Sequence, residues 1–424
     1  MKRYDEYKDS GVEWIGEVPS HWVVCKLKHI AKINGRVGYK GYTTADLVPE
    51  GQGAYTIGGK HITNCVINLS NADYISWEKY YESPEIMVRQ GDLLMAQRGS
   101  LGKVAFVEKE IGPATINPSL VLLNHIKVDG KFLYYSLMSD NILTTIGILN
   151  TATAVPMISQ NQIENMAILF PRLSEQTAIA SYLDKKCSEI DNVISAQQKR
   201  IALLQELKQS VITHAVTKGL NPNVEMKDSG VEWIGEVPKH WEVKKLKWLF
   251  WNLDKLREPI SAEKRERENP QYDYYGASGI IDKIDFYNVE DKVLLIGEDG
   301  ANLVFRNLPL IYKAEGKFWV NNHAHILKPR KHVDYEYMYY TLEAGDYSTF
   351  ITGSAQPKLS QSNLEMQVLP VPPYEEQLEI GEKLRKKCAT IDLSISKAQH
   401  QVELLQEYKQ SLITEVVTGK RKVS

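Results

Sequence analysis

The segment Lys8-Asp-Ser-Gly-Val-Glu-Trp-Ile-Gly-Glu-Val-Pro19 decides the architecture of this chain, because it returns without a change as Lys227-Asp-Ser-Gly-Val-Glu-Trp-Ile-Gly-Glu-Val-Pro238. After one variable residue, a His-Trp pair follows both copies. A repeat of this kind indicates that one structural unit occurs more than once. An array of stacked repeats would show at least three short units. We therefore predict two copies of one larger unit.

A second pair of matching segments starts at Glu175-Gln176 and returns at Glu376-Gln377. The offset between the copies falls from 219 residues in the first repeat to 201 in the second, so the first copy is 18 residues longer. Between the matched ends the two copies diverge sharply. This pattern is typical of a scaffold that is kept while the segments it carries vary.

Two long helices are predicted in the second repeat. Pro171 and Pro372 precede the two segments, and Gly219 and Gly419 follow them, which are start and stop signals for a helix. Each segment covers about forty residues, or roughly 60 Å of helix. The alternative is an ordinary helical hairpin inside one core.

Apolar residues at alternating spacings of three and four predict a coiled-coil seam in both helices. Lys208 and Lys409 occupy the same seam position, where a polar group usually lowers stability but specifies register or partner geometry. The apolar seam positions are Leu183, Ile190, Ile194, Ile201, Leu204 and Val211 in the first helix, and Leu384, Ile391, Ile395, Val402, Leu405 and Leu412 in the second.

The segments between the repeats predict globular domains of mixed secondary structure. Short strands are expected at 66–69, 104–107, 121–123 and 293–296, and one helix in each copy at 134–138 and 337–342. We expect one globular domain over 1–172, a long helix over 173–219, a second globular domain over 220–373 and a second long helix over 374–424.

The composition excludes several classes of protein. No run of eighteen apolar residues predicts a membrane span, and no apolar stretch follows the basic pair Lys2-Arg3, so we expect a cytoplasmic protein. The four cysteines contain no Cys-x-x-Cys pair, which argues against a zinc site or a disulfide framework. The net charge of −2 counts against DNA binding by the chain alone.

Catalytic motifs are missing from the sequence. The stretch Gly99-Ser-Leu-Gly-Lys103 lacks the spacing and the hydroxyl residue of a phosphate-binding loop, and Val371-Pro-Pro-Tyr374 has valine where an amino-methyltransferase needs a polar group. His323 and His325 share a strand face, but no carboxylate or cysteine completes a metal-ligand spacing, so we expect no metal site. A self-sufficient nuclease or methyltransferase is therefore disfavoured.

The Glu-Gln openings of the two helices, their Lys-Gln-Ser endings at Lys208 and Lys409, and the duplicated Trp-Ile-Gly-Glu-Val-Pro-x-His-Trp resemble the specificity subunits of type I restriction-modification systems. The resemblance covers essentially the whole chain. It implies an α+β fold in which two globular target-recognition domains are separated by two long helices. These helices would pack as an antiparallel coiled coil within a pseudo-two-fold internal repeat.

The resemblance also implies a non-catalytic subunit of a methyltransferase and endonuclease complex. Each recognition domain would read one half-site of an asymmetric bipartite target in double-stranded DNA, and the helices would set the spacer. Two adenine-N6 methyltransferase subunits and two restriction/translocase subunits are the implied partners. S-adenosylmethionine, ATP and magnesium are expected in those partners and no cofactor in this chain. Phosphate contacts made by the partners would offset the near-neutral charge.

Alignment of the two copies at Gly99 and Gly300 sets Gln97-Arg98 against Glu298-Asp299, and it sets Ile116-Asn-Pro-Ser119 against Val320-Asn-Asn-His323. Arginine suits guanine, whereas carboxylates accept hydrogen bonds from cytosine, so the half-sites should differ. Thr153-Ala-Val-Pro156 matches Ser354-Ala-Gln-Pro357. The predicted DNA-binding residues are Gln97, Arg98, Ser100, Lys103 and Asn117 in the first copy, Glu298, Asp299, Asn302, Asn321, Asn322 and His323 in the second, and Lys255, Arg257, Arg306 and Lys358 for phosphates.

One alternative of another class stays open at this point. The chain could be a coiled-coil scaffold whose two divergent domains bind proteins or glycans, and the near-neutral charge favours that reading. The verbatim repetition of the scaffold around variable domains favours the DNA-reading account.

Overall fold

The computed structural model describes residues 3–36, 41–63, 65–150, 154–265 and 270–423, so Thr153 of the aligned segment lies outside the described residues. The chain forms two compact units, the first made of Met1–Gln197 with His400–Ser424 and the second of Gln198–Gln399. Each unit therefore takes a part of both long helices. The domain boundaries expected from the sequence separate the helices from the globular parts and stay a prediction.

The first unit is built from short strands and small helices. Its strands are β1 Tyr7–Asp9, β2 Glu17–Pro19, β3 Val23–Lys26, β4 Lys32–Gly35, β5 Leu47–Val48, β6 Gly53–Ile57, β7 Ile62–Thr63, β8 Val66–Ile67, β9 Asp73–Ser76, β10 Leu93–Ala96, β11 Val104–Phe106, β12 Ala114–Ile116, β13 Leu120–Asn124 and β14 Ala167–Phe170. Its helices are α1 Trp77–Tyr81, α2 Gly130–Leu137, α3 Asp140–Leu149, α4 Gln160–Glu164 and the start of α5, Leu173–Lys218. Single turns of 3-10 helix occupy Leu27–His29, Thr44–Asp46, Gly59–His61 and Pro84–Ile86.

Two four-stranded sheets, in the orders β11-β10-β13-β4 and β12-β6-β9-β5, form the centre of the first unit. Strand β10 is apolar throughout because both of its faces are buried. Leu93 and Met95 pack toward the helices, whereas Leu94 and Ala96 pack into a core shared with residues of β6 and β12. The end of β10 at Ala96 brings the following loop out of this core.

The second unit repeats these parts with one larger sheet. Its strands are β15 Met226–Asp228, β16 Glu236–Pro238, β17 Glu242–Lys245, β18 Phe250–Asn252, β19 Tyr272–Gly276, β20 Gly279–Ile284, β21 Val289–Gly297, β22 Ile311–Val320, β23 Ala324–Pro329 and β24 Val368–Val371. Its small helices are α6 Asn302–Phe305, α7 Tyr335–Ala344 and α8 Gln361–Met366, and the last long helix is α9 Tyr374–Val417. Single 3-10 turns occupy Leu246–Trp248, Asp254–Leu256, Ala262–Lys264 and Ser348–Phe350.

The second unit has a six-stranded sheet in the order β18-β23-β21-β22-β19-β20. Strand β22 spans ten residues and pairs with β21 on one side and, in parallel, with β19 on the other. In the first unit the corresponding pairings are divided between β11 and β12. Pro113 directly precedes β12 and has no N–H for a ladder, which is consistent with the interruption. The predicted α+β class, the four strands and the two helices are confirmed.

Helices α5 and α9 contain 46 and 44 residues, or about 69 and 66 Å at 1.5 Å per residue. Gly219 and Gly419 follow their ends with φ of +76° and +72°, a left-handed conformation that stops a helix and favours glycine. The predicted start and stop signals are therefore confirmed. Among the described residues, no helix combines the length and the apolar character needed to cross a membrane.

Every position of the predicted seam is buried or half-buried. In the first unit, Lys409 of α9 donates to both carboxylate oxygens of Asp191 of α5 at 2.7 Å. In the second unit, Lys208 of α5 donates to Asp392 of α9 at 2.7 and 2.8 Å. The later residue of α5, Lys208, pairs with the earlier residue of α9, Asp392, so the two helices run antiparallel. The seam lysines are thus paired by an aspartate that is itself repeated.

The verbatim repeat joins each long helix to its globular part. Trp22 and His21 both reach the carboxylate of Glu175, at 3.3 and 2.9 Å. Trp241 and His240 reach Glu376 in the same way, at 3.1 and 2.8 Å. Both tryptophans are fully buried, so the indole N–H requires a partner inside the protein. This requirement explains why the His-Trp pair and the glutamate occur together in both copies.

The glutamine after each of these glutamates holds a second connection. The Gln176 amide donates to the Pro171 carbonyl and accepts from Asp129 N–H, both at 2.8 Å. The Gln377 amide does the same with Pro372 and Asp334, both at 2.9 Å. Both glutamines are buried, and Asp129 and Asp334 are the N-caps of α2 and α7. The Glu-Gln motif therefore ties the start of a long helix to the small helix beside it.

Candidate DNA interface

The candidate recognition loop of the first unit follows β10. Gln97 N–H donates to the Ser119 carbonyl at 2.9 Å, and Gly99 N–H donates to the Pro156 carbonyl at 2.8 Å. Asn117 closes a turn beside this loop, because its Oδ1 accepts from Ser119 N–H at 2.9 Å. The loop is therefore held by backbone bonds from two other segments.

The loop of the second unit follows β21 and is held by equivalent bonds. Glu298 N–H donates to the His323 carbonyl at 2.8 Å, and Gly300 N–H donates to the Pro357 carbonyl at 3.0 Å. Asn321 Oδ1 accepts from His323 N–H at 2.8 Å. These bonds match those of Gln97, Gly99 and Asn117 one for one, so the alignment of the two copies made from the sequence is confirmed.

The five predicted residues of the first loop have different environments. The Gln97 amide donates to the carbonyls of Pro118 and Leu120 at 3.1 and 3.3 Å, and Lys103 donates to the Gly59 carbonyl at 3.3 Å. Both side chains are half-buried, as is Asn117, and they support the loop. Arg98 and Ser100 are exposed at its tip, and Arg98 has the Met157 sulfur as its hydrogen-bond partner at 3.3 Å.

The second loop lies over a cluster of charged and polar side chains, all buried or half-buried except Lys358. Glu298 is buried, and its two carboxylate oxygens bind Arg257 and Lys358. Arg257 also contacts the carboxylate of Asp254, at 3.4 Å. His325 is fully buried, with Nδ1 on Asp254 and Nε2 at 2.8 Å from the Leu359 carbonyl. The cluster therefore contains two carboxylates together with a guanidinium, an ammonium and an imidazole.

Electrostatics in this cluster favours the charged form of both carboxylates. Burial by itself raises the pKa of Asp254, but the hydrogen bonds from His325 and Ile326 N–H and the charge of Arg257 outweigh it, so the pKa lies below its ordinary value. Burial likewise raises the pKa of Glu298, and the hydrogen bonds from Arg257 and Lys358 reverse the direction. A Glu298 contact with cytosine stays a prediction, and it would require Lys358 to leave one carboxylate oxygen.

Asp299 and His323 form a separate pair at the surface of the second loop. Asp299 Oδ2 lies 2.7 Å from His323 Nδ1. The histidine ring is exposed, and its Nε2 has no partner among the residues that the structure describes. A carboxylate that holds Nδ1–H fixes the tautomer and the orientation of the ring. The pair therefore presents Nε2 to solvent.

The remaining predicted residues of the second copy divide into supporting and accessible groups. Arg306 donates to the carbonyls of Glu343 and Gly345. The Asn302 side chain bonds the backbone of Leu308 and Pro309, and Asn321 is buried. These three residues support the fold locally. The exposed residues are Lys255, Asn322, His323 and Lys358.

Three buried residues of the two interfaces do not appear among the sequence-based candidates. Asp254 and His325 are part of the charged cluster, and Arg36 of the first unit donates to the Ile116 carbonyl and to Thr115 Oγ1 at 3.1 and 3.0 Å. The alternating His323-Ala-His325 pattern was the available signal for His325. Nothing in the sequence marks Asp254, because the groups that hydrogen-bond its carboxylate, His325 and Ile326 N–H, lie 71 and 72 residues away.

His323 and His325 do not share a ligand, since one binds Asp299 and the other binds Asp254. Within the described ranges, no group of three or more histidine, cysteine, aspartate or glutamate side chains is placed to hold a metal ion. All four cysteines, Cys25, Cys65, Cys187 and Cys388, are unpaired.

Comparison with known proteins identifies the family of this duplicated architecture. The family model of the type I restriction modification DNA specificity domain matches residues 19–203 and again residues 238–404. The chain belongs to this family. It is a specificity subunit of a type I restriction-modification system, with one specificity domain in each copy of the repeat. The family assignment gives no support to the protein- or glycan-binding scaffold.

Relatives of similar length support the assignment of this type I specificity subunit. The type I restriction enzyme MjaVIII specificity subunit of Methanocaldococcus jannaschii is 26% identical over 379 residues, covering 80% of this chain and 81% of the relative. The MjaIX specificity subunit of the same organism is 22% identical over 448 residues, covering 99% and 97%. A solved structure from work on complex assembly and conformational transition of the type I R-M system shares the fold, with a TM-score of 0.70, 14% identity and coverage of 95% and 99%.

Proposed function

We propose that this type I specificity subunit reads an asymmetric bipartite sequence in double-stranded DNA, with one half-site for each recognition loop. The observation that carries this proposal is that the two loops are held by equivalent backbone hydrogen bonds, each within its own unit, but expose different side chains. The first presents Arg98 and Ser100, and the second presents the Asp299–His323 pair with Lys358. A constant frame with different exposed groups is what reading two different half-sites requires.

The exposed groups favour different bases. The Arg98 guanidinium can donate two hydrogen bonds to the O6 and N7 atoms of guanine in the major groove. His323 with Nδ1–H on Asp299 presents Nε2 as an acceptor, which suits the amino group of cytosine or adenine. Gln97, Arg257 and Arg306 act in this proposal through the loops that they support rather than through bases.

The chain acts, in this proposal, as the non-catalytic member of a larger complex in the cytoplasm. Two adenine-N6 methyltransferase subunits and two restriction/translocase subunits supply the chemistry, and they bind the S-adenosylmethionine, ATP and magnesium. Support comes from two exposed apolar pairs at equivalent positions of the long helices, Leu203 with Leu207 and Leu404 with Tyr408. Residues four apart lie on one helix face. A duplicated apolar face suits two copies of one partner.

The helices would set the spacer between the half-sites. Four residues inserted after Leu204 lengthen α5 by about 6 Å and change its phase little, because 3.6 residues make one turn. We expect the insertion variant to methylate a target with a longer spacer and unchanged half-sites. Methylation of the original target alone would contradict the role of the helices as a ruler.

Methylation mapping at single-base resolution tests the proposed function directly. Cells carry the chain with its methyltransferase, and matched cells lack only this chain. We expect a new asymmetric bipartite adenine-methylation motif, and Arg98→Ala should relax one half-site while His323→Ala relaxes the other. A methylation pattern that does not depend on this chain, in cells with an active methyltransferase, would contradict the proposal.

A further inference from the structure

A basic and aromatic surface of the second unit has no part in the recognition loop. It comprises Lys245, Lys247, Trp248, Trp251, Arg330 and Lys331, which we call the tryptophan patch. Trp248 and Trp251 are 63% and 54% exposed, although tryptophan usually buries most of its surface. Large exposed aromatic side chains beside cations are typical of a binding surface.

Arg330 joins the two parts of the tryptophan patch. Its guanidinium donates to the carbonyls of Phe250 and Lys247 at 3.1 and 3.2 Å and lies 3.6 Å from the centre of the Trp251 ring. The Lys247 ammonium lies 5.3 Å from the centre of the Trp248 ring. These contacts are cation–π interactions, which orient a cation without neutralising it. The patch is therefore held in place and stays positive.

The charges of the patch differ from the other cations of the second unit. Lys328 pairs with Asp291, Lys244 pairs with Glu242, and Arg257 is bound by Glu298. Within the described ranges, Lys245, Lys247, Arg330 and Lys331 form no ion pair with a carboxylate. Four cations without a counter-charge next to two exposed tryptophans favour an anionic partner.

The position of the patch relates it to the recognition loop. Edge strand β18 pairs with β23, with Phe250 opposite Pro329 and Asn252 opposite Leu327. The patch lies at the Pro329 end of β23, and His323 directly precedes its other end at Ala324. Six residues of strand separate the two ends by about 20 Å, which corresponds to about six base pairs of duplex.

We propose that the tryptophan patch binds the phosphate backbone of duplex DNA outside the half-site that the second loop reads. The inference rests on the proposed function and adds a second contact to it. Phosphate is favoured over protein carboxylates because a duplex that meets the loop continues past it as a regular row of negative charges. Arg257 and Arg306, predicted from the sequence to bind phosphates, are engaged inside the unit, and the lysines of the patch supply the cations that they do not.

The first unit provides a matched control, because it lacks the patch. Lys127 N–H donates to the Ile30 carbonyl as Arg330 N–H donates to the Leu249 carbonyl, so Lys127 is the counterpart of Arg330. The Lys127 ammonium is held by the His29 carbonyl at 3.2 Å. His29 and Lys32 stand at the positions of the two tryptophans. The first unit therefore has lysines at this place without the tryptophans that hold the cations of the patch.

The salt dependence of DNA binding tests the proposal. The full chain is titrated onto a labelled 40-base-pair duplex of arbitrary sequence at several salt concentrations, with Lys247→Gln/Lys331→Gln compared with the control Lys28→Gln/Lys127→Gln. We expect the patch variant to bind several-fold more weakly and its log–log salt slope to fall by about two, since each phosphate contact contributes about 0.9. The control should keep the wild-type affinity and slope.

Two further measurements separate the possible failures. Thermal unfolding should be unchanged in the patch variant, because its two lysines form no ion pair, and Trp251→Ala should weaken binding without changing the methylated motif. Equal affinity and slope in the patch and control variants, or no binding by the wild-type chain at low salt, would overturn the proposal. Unchanged DNA binding with weaker association of a partner subunit would assign the patch to that protein and also overturn it. In each case the methylated motif still reports on the proposed function.

Discussion

The two recognition domains have the same backbone arrangement around the recognition loop, but the side chains beneath the loop are neutral in one domain and charged in the other. Gly35, Val121 and Gln97 in the first unit correspond to Asp254, His325 and Glu298 in the second, as the strand registers show. The first set is neutral, and Gln97 holds the neighbouring carbonyls by amide hydrogen bonds. The second is a charged cluster that also includes Arg257 and Lys358. The comparison shows that the strands and backbone hydrogen bonds determine the position of each loop, whereas the side chains that pack beneath the loop can be replaced.

The largest expected effect comes from removing one charge of the cluster. Asp254→Ala leaves the buried His325 Nδ1 and Ile326 N–H without their partner and removes one of the two carboxylates that contact Arg257. Breaking a buried charged contact of this kind typically costs about 3–5 kcal/mol in the free energy of unfolding. The matched variant Gln97→Ala removes neutral hydrogen bonds and should cost about 1 kcal/mol. Denaturant unfolding of the full chain measures both. Equal losses in the two variants would break the distinction between a charged and a neutral support.

The pH dependence should sharpen the same contrast. The pKa of Asp254 is lowered in the folded protein, so its stabilising effect is present above the ordinary pKa of about 4 and is lost as the pH falls through the lower folded value. We expect wild type to be more stable than Asp254→Asn at pH 7 and the difference to narrow below about pH 4. Unfolding curves at several pH values check this. A difference that is constant with pH would show that charge is not the cause.

A smaller change in the free energy of unfolding, equal for the two variants, is expected at the seam lysines, where the two copies are alike. Lys208→Met and Lys409→Met each remove a half-exposed ion pair with Asp392 or Asp191, which is worth about 0–1 kcal/mol, and each adds an apolar seam residue. The free energy of unfolding should therefore change by less than about 1 kcal/mol, and by the same amount in both variants. Unequal changes, measured by denaturant unfolding, would show that the two halves of the seam are not equivalent.

The scaffold could be predicted from the sequence because its signals are local. The seam spacing, the prolines before the helices and the glycines after them each act over a few residues. Both helices begin two residues after the prolines and end one or two residues before the glycines. The repeats could be aligned by inspection, and the hydrogen bonds of Gly99 and Gly300 agree with that alignment. The same reasoning could not find Asp191 and Asp392, because a partner across two helices depends on how the helices pack.

The candidate site was less predictable, and particular residues show why. Arg306 and Asn302 are residue types that often contact DNA, yet their side chains hydrogen-bond to the backbone of the same unit. Glu298 has the chemistry to read cytosine, but it is buried and holds two cations. Residue type and position in a loop predicted polar function, whereas accessibility depended on neighbours that are distant in the chain.

By itself, the sequence determined that this protein is a duplicated chain with two long seam-bearing helices, because repetition and helical periodicity are properties of the linear order of residues. Only the tertiary structure decided which polar side chains support the recognition loops and which face solvent. It also placed Asp254, Glu298, His325 and Lys358 in one cluster and Arg330 on Trp251. Burial and charge pairing are three-dimensional quantities, since they depend on which distant segments pack together.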